Sequence, residues 1–362
     1  MSDTLSRSFI FDNEKPSGDI LGIRYPGGDV QNFITNDNTP ILYGTCADNN
    51  GILNVGIKID EDTSSNQTPV CNNGSWVSSE LSSLADGVHT ITLTITDLAG
   101  NTTTIEKELT IDTLAPFATH TYYKNGIAIT DSKTYVKSVS ELSFKATYTD
   151  NSPSSGMLKD SYVIFDSNAE GTARTSKAYC GWRNPDNTLI ITTNPLEEFV
   201  PFTNCEPTLA DGQYYMYHQV YDNATRKDIP SITQYRDVKG LYFIVDTSTP
   251  SSTITSPDNS GTDSVIYSNS WDGKIAGTAQ DSLSGVKEVQ LTIQKTDGQY
   301  WSGSTWQEGK TSVTAQGTTN WIYQIGATLT NDTYTIKSHA TDNAGNTENS
   351  YTITIVLDKT IP

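Results

Sequence analysis

The stretch Thr90-Ile91-Thr92-Leu93-Thr94-Ile95-Thr96-Asp97-Leu98-Ala99-Gly100-Asn101, continued by Leu109-Thr110-Ile111-Asp112-Thr113-Leu114-Ala115-Pro116, holds the pattern from which the fold can be read. Ile91, Leu93 and Ile95 alternate with threonines, a period of two that puts one face of an extended strand in a core and the other in water. That strand stops at an Asp-x-Ala-Gly-Asn turn, and a second apolar strand stops at Asp112, four residues before Pro116. Asp suits such a stop because its carboxylate accepts bonds from the backbone N–H groups just ahead of it, and proline cannot continue a ladder. The same ending recurs at Phe11-Asp12 to Pro16, Val245-Asp246 to Pro250 and Leu357-Asp358 to Pro362. The Asp-to-Asp intervals of 100, 134 and 112 residues are each about one domain long.

Two further signals recur in fixed order. Asp48, Asp150 and Asp281 stand 36, 38 and 35 residues after the opening Asp, each preceded four positions earlier by a small residue, Gly44, Ala146 or Gly277. A strand then begins near Leu84, Leu209 or Leu329 and ends thirteen residues on at Asp97, Asp222 or Asp342. With 35% hydrophobic residues, 26 Gly and 14 Pro, composition favours strands and turns, and no convincing helix is found. The expected fold is all-β: three tandem immunoglobulin-like antiparallel β-sandwich domains in an elongated array, a barrel being the weaker alternative. The expected bounds are 13–115, 116–249 with long loop insertions, and 250–362, with 1–12 the end of a preceding repeat or a lead-in. Both ends fall at the same punctuation, so a segment of a longer tandem protein is expected.

Against 42 acidic residues stand only 23 basic ones, a net charge of -19. That balance argues against nucleic acid and anionic membranes as partners and in favour of cations. No apolar run approaches the ~18 residues of a membrane span, and residues 1–8 lack a signal peptide's pattern, so no membrane insertion is expected in this segment.

The recurring carboxylates carry whatever chemistry there is. In an immunoglobulin-like sandwich the loop between the second and third strands and the loop between the last two open at the end where the chain enters. Asp48 and Asp97 then approach Asp12, Asp150 and Asp222 approach Asp112, and Asp281 and Asp342 approach Asp246. Clustered carboxylates repel, and a hard cation that takes six to eight oxygens resolves the conflict, which makes Ca2+ the candidate ion and Asn101 and Asn346 candidate extra ligands. Each Asp also has a local explanation as a turn former that needs no metal. The middle interval departs from the pattern, with Asp222-Asn223-Ala224-Thr225-Arg226, and Arg226 is a candidate to stand in the cation's place.

Cys46 and Cys71 lie in the first interval and Cys180 and Cys205 in the second, each pair 25 residues apart. Within-module disulfides are expected, each stabilising its module by ~3 kcal/mol, with buried free thiols as the alternative. The four histidines are scattered, with no His-Glu-x-x-His and no Gly-x-Ser-x-Gly, so no enzyme is expected. His218 matches the inward positions of Leu93 and Ser338 and is read as a core residue. His89 matches Tyr214 and Tyr334, at a place that resembles the tyrosine corner of such sandwiches. Tyr300, Trp301 and Trp306 form the candidate glycan-binding platform if exposed, and packing residues if not. The extra length of the middle module, Tyr179 through Pro207 and Thr225 to Tyr235, is the expected place for a binding loop.

These residues carry a resemblance. The Asp-x-Ala-Gly-Asn turn, followed about ten residues later by a strand ending in Asp-Thr-x-x-Pro, resembles the bacterial immunoglobulin-like repeats of large secreted and surface proteins. Gly277 through Val286 with Tyr300-Trp301-Ser302-Gly303 and Trp306 is similar to one subtype, and Cys71 through Trp76 with Leu84-Ala85-Asp86-Gly87 to another. The region from about 157 to 208 is poorly matched. The resemblance implies a non-enzymatic extracellular spacer, stalk or adhesion segment whose partners are neighbouring repeats and a surface ligand or glycan, often rigidified by calcium between modules. The alternative is a set of carbohydrate-binding accessory modules beside a secreted hydrolase. A phage or sheath structural protein is a remoter reading.

Overall fold

The computed structural model describes residues 10–150, 155–166, 176–180, 189–190, 196–202, 205–206, 208–231, 233–258 and 265–360. Their apolar side chains gather into separate clusters, one built on Ile20, Leu42, Trp76 and Leu93, one on Phe144, Phe202, Met216 and Phe243, and one on Ile275, Leu291, Trp321 and Ile353. Around each cluster the same two sheets face one another. In the first, Gly28–Val30, Ser17–Tyr25, Ile41–Ala47 and Ser75–Val77 make one sheet. Asp62–Gln67, Ile52–Ile59, Gly87–Asp97 and Thr102–Ile111 make the other, joined by Ile34–Thr35 running parallel to Thr102–Ile111. The parallel addition recurs as Thr134–Val136 on Thr233–Val245 and as Val265–Ser268 on Tyr351–Leu357. This is the expected all-β, antiparallel sandwich architecture, and among the described residues its only helix is the 3-10 turn Val139–Glu141. Among the described residues no helix is long and apolar enough to cross a membrane.

The alternation read from the sequence is what makes the sheets two-faced. Ile91, Leu93 and Ile95 are all fully buried on one side of Gly87–Asp97, with the threonines between them half-exposed. The recurring small residue has a packing cause. A Cβ on Gly44 would lie 2.0 Å from the Asp19 carbonyl oxygen and 2.4 Å from the Trp76 ring, and one on Gly277 would lie 2.0 Å from the Thr253 oxygen and 2.3 Å from the Trp321 ring. Trp76 and Trp321, each nearly fully buried, lie across the glycine of the neighbouring strand.

The expected corner recurs beside each of the three clusters. Tyr214 donates to the Ala210 carbonyl at 2.9 Å and Tyr334 to the Thr330 carbonyl at 2.9 Å, while a His89 ring nitrogen lies 2.8 Å from the Ala85 carbonyl. A second lock fixes each chain exit: Thr113 and Thr247 donate their N–H to Asp86 and Asp211, and Lys359 donates its own to Asn331. Cys46 and Cys71 are disulfide-bonded, with Cα atoms 6.1 Å apart. The backbones of Cys180 and Cys205 stand opposite one another in an antiparallel pairing, but their side chains, like most of Tyr179 to Pro207, lie outside the described residues.

Candidate metal centres

The strand-ending aspartates converge. Asp12, Asp48 and Asp97 bring carboxylate oxygens within 4.8 Å of one another, as do Asp112, Asp150 and Asp222, and Asp246, Asp281 and Asp342. In each group one Asp lies where the chain enters, directly after a strand in the case of Asp112 and Asp246, one sits in the loop after the second strand and one in the turn before the last strand.

Backbone amides hold these carboxylates in place. Asp342 accepts from the N–H groups of Gly345 at 2.6 Å and Asn346 at 2.8 Å, and Asp97 from Ala99, Gly100 and Asn101 at 2.9, 2.7 and 2.9 Å. Asp281 accepts from Leu283 and Gly285, and Asp246 from Ser248 and Ser284. Burial opposes ionisation of Asp97, yet the donated bonds of the Asn101 side chain and the turn amides hold its carboxyl below the usual carboxylate range. Asp222 behaves in the opposite way. Burial, reinforced by Asp112 and Asp150, pushes it up to about 7 against the bonds from Gln234 and Ala224.

Asn101 and Asn346 turn their side-chain nitrogens to the walls of the sites. The Asn101 amide nitrogen donates to Asp97 Oδ2 at 2.8 Å and to the Asp12 carbonyl at 3.2 Å, and that of Asn346 to Asp342 Oδ2 at 2.8 Å and the Asp246 carbonyl at 2.9 Å. With two acceptors facing it, the amide must present its nitrogen, so each Asn ties two walls of the site together. Gln234, which sequence reasoning missed, plays this part in the middle: its amide nitrogen donates to Asp222 Oδ2 at 2.9 Å and lies 3.5 Å from the Asp112 carbonyl. It comes from the far side of a hairpin, twelve residues beyond the Asp it braces, so no turn motif announces it.

Arg226 does not fill the middle site. Its guanidinium forks onto Asp228 and stacks 5.2 Å from the Tyr235 ring. No Lys, Arg or His among the described residues pairs with Asp12, Asp48, Asp97, Asp112, Asp222, Asp246, Asp281 or Asp342. The donor set is oxygen throughout, carboxylates with neighbouring carbonyls, which fits a hard divalent ion such as Ca2+ and not a soft one.

The hairpin that carries Gln234 has its own destination. Strands Gly212–Thr225 and Thr233–Val245 run past the sandwich, and Thr225 pairs with Thr35 of the first sandwich. Asn36 donates its N–H to the Thr225 carbonyl at 3.0 Å and its amide to Gln234 at 3.1 Å, while its side-chain oxygen accepts from the Lys227 N–H at 2.8 Å. Lys227 reaches the buried Asp37 at 2.8 Å. Thr225 to Tyr235, one of the two stretches expected to carry a binding loop, is therefore a clamp between the first two sandwiches, while most of the other, Tyr179 to Pro207, lies outside the described residues.

The glycan platform is not exposed. Trp301 is 1% exposed and its indole N–H donates to Tyr323 at 2.8 Å. Trp306 packs on Trp301 and Tyr334, with the Lys295 ammonium 4.6 Å above its ring, and Tyr300 is half-buried, so these rings are spent on packing. His218 is buried as expected, but in a polar cluster that the sequence did not disclose: its Nδ1 lies 3.0 Å from Asp160, His120 Nε2 lies 2.7 Å from the same carboxylate, and Tyr148 donates to it at 3.0 Å.

No curated protein matches the chain. Among solved structures it is similar to a tetra-tandem repeat in the extending region of a large adhesion protein, with 18% identity over 95% of this chain and 75% of that one and a TM-score of 0.30. It is similar to a 1.5-MDa bacterial ice-binding adhesin, with 15% identity, 96% and 100% coverage and a TM-score of 0.32. A Ca2+-stabilized adhesin of an Antarctic bacterium has 17% identity, 90% and 72% coverage and a TM-score of 0.30. Residues 24–113 match one bacterial Ig-like domain family and residues 245–359 match a second. Together these take in more than half of the chain, which belongs to the bacterial Ig-like repeat proteins.

Proposed function

We propose that the chain is a non-enzymatic stalk or adhesion segment of a bacterial surface protein, acting outside the cell, with modules at 13–115, 116–249 and 250–362 whose angles are set by calcium at their joints. One observation carries this reading: a triad of carboxylates within 4.8 Å recurs three times along the chain, each time tied to the incoming backbone by a side-chain amide. Calcium, when bound, supplies the positive charge that lets such a triad stay ionised in close quarters. Asp246 and Asp112 belong to the strand arriving from the preceding module, whereas Asp281 with Asp342 and Asp150 with Asp222 belong to the module ahead. Drawing the three together fixes one module against the next.

At millimolar calcium and a site of ~10⁻⁴ M, linkage contributes only ~1.4 kcal/mol per joint. That is enough to bias a hinge and too little to fold a sandwich. The carbohydrate-accessory reading loses its support with the burial of Trp301. Equilibrium dialysis with calcium tests the proposal. Uptake at each joint is expected, and Asp342→Asn should remove one ion while leaving the fold intact; absence of uptake, or uptake unchanged in that variant, contradicts it.

A further inference from the structure

At the joint between the second and third sandwiches lies a cleft of about 380 Å3, whose lining includes Lys124, Ile127, Thr130, Lys133, Lys287 and Asn343. Its counterpart one joint earlier is filled. Lys124 and Ile127 close the first hairpin of the second sandwich as Tyr25 and Gly28 close that of the first. There the long clamp comes up against the turn, and a Cβ on Gly27 would lie 3.2 Å from Pro230. Among the described residues the third sandwich has no such clamp. Its chain turns back after Asp342, where Gly345 and Asn346 donate to that carboxylate, and the space before Lys124 stays open.

The charge of this space runs against that of the molecule. In a chain of net charge -19, Lys133 and Lys287 stand at the cleft without a carboxylate partner among the described residues. The Lys133 ammonium lies 5.5 Å above the Tyr135 ring. Lys124 donates to the Tyr135 carbonyl at 2.6 Å and is 3.6 Å from Glu141, so it is partly neutralised. Asp131 also lines the cleft and leaves it positive overall. Ammonium groups gathered in a concave site focus potential on a small anion, while the acidic remainder of the surface repels a long polyanion such as nucleic acid. Beside them are Thr130, whose hydroxyl donates and accepts, Asn343, whose amide nitrogen is spent on the Ser284 and Gly285 carbonyls so that its oxygen can accept from a hydroxyl, and Ile127, 75% exposed, which offers an apolar face.

We propose that this cleft binds an acidic sugar: a saccharide of one or two rings bearing a carboxylate or sulfate, its charge on Lys133 and Lys287, its hydroxyls on Thr130 and Asn343, and a C–H face on Ile127. The volume is at the lower end of ligand sites, which fits so small a group. Lys133 belongs to the second sandwich and Lys287 to the third, so the ligand bridges a joint that has no protein clamp. The inference goes beyond the stalk reading and does not depend on the cation.

Calorimetric titration of the full chain in calcium-free, low-salt buffer tests it, with a galacturonate oligosaccharide as the carboxylate probe, a heparin disaccharide as the sulfate probe and a cello-oligosaccharide as the neutral one. At least one acidic probe should bind, the arm that binds naming the anion, and added salt should weaken it. Lys133→Glu and Lys287→Glu should each weaken binding about tenfold, ~1.4 kcal/mol, while Lys310→Glu, outside the cleft, should not. Unchanged melting of the variants shows that they fold. Failure of both acidic probes, equal binding of the neutral one, or binding indifferent to both cleft reversals overturns the proposal. Any of these outcomes leaves the dialysis result for calcium untouched.

Discussion

His120, Asp160 and His218 occupy positions that are apolar in the first sandwich, where Ile20, Val55 and Leu93 stand, all buried. The imidazole rings of His120 and His218 stack with centroids 3.7 Å apart. Burial, then the neighbouring His218, lowers the His120 pKa below its ordinary 6.5. Burial opposes the ionisation of Asp160, but the charge of His218 and the bonds from both imidazoles more than offset it, and its carboxyl is lowered as well. In both cases the folded state binds the proton less readily than the unfolded chain does, so both shifts act in one direction. The His120 contribution is present above about pH 6.5 and is lost as pH falls below it; that of Asp160 is lost below about pH 4. Amide protection in the second sandwich, corrected for the intrinsic slowing of exchange in acid, should therefore fall on acidification through about pH 6.5 before it does in the first, whose His89, against burial, is shifted upward by its bonds to Ala85 and Asp60. Replacing the trio by His120→Ile, Asp160→Val and His218→Leu should flatten that dependence; an unchanged pH profile in this variant would mean that the cluster is not its source. The sequence disclosed His218 as inward-facing through the strand period, but not its partners, because Asp160 is 58 residues away and comes from another strand.

Single strands and turns were the most legible elements, because each is written in local chemistry: period two for Gly87–Asp97, Asp for its end, glycine beneath Trp76 and Trp321. Gly277→Ala tests that last element. The added methyl meets both the Thr253 carbonyl and the Trp321 ring, so the third sandwich should lose about 1–3 kcal/mol in denaturant unfolding, and a loss near zero would show that the strand can move aside. The clamp was legible only as surplus length. Its contacts are with Asn32 to Asp37, about 190 residues earlier, and nothing in residues 225–235 names that destination. Asn36→Ala deletes the acceptor for the Lys227 N–H and the donor to Gln234, at roughly 0.5–1.5 kcal/mol for each bond. With Lys227→Ala it should separate the melting of the first and second sandwiches into two steps; coincident melting in the double variant would show that the clamp does not couple them.

At the scale of the whole molecule, the tandem organisation was written in the spacing of Asp12, Asp112, Asp246 and Asp358, and the carboxylate triads followed from topology once the strands were ordered. What spacing did not convey is that the joints differ. The first two sandwiches share a sheet through Thr35 and Thr225, and the second and third meet at Asp246 beside an open cleft. A cation should then matter most at the second joint, where no clamp substitutes for it. Small-angle X-ray scattering of the full chain, with calcium and then with excess chelator, tests this most directly. The account predicts a longer, stiffer particle with calcium and a broader distribution of lengths without it. Superimposable profiles in the two conditions would contradict it, leaving the aspartates as turn formers and the joints as fixed by protein contacts alone.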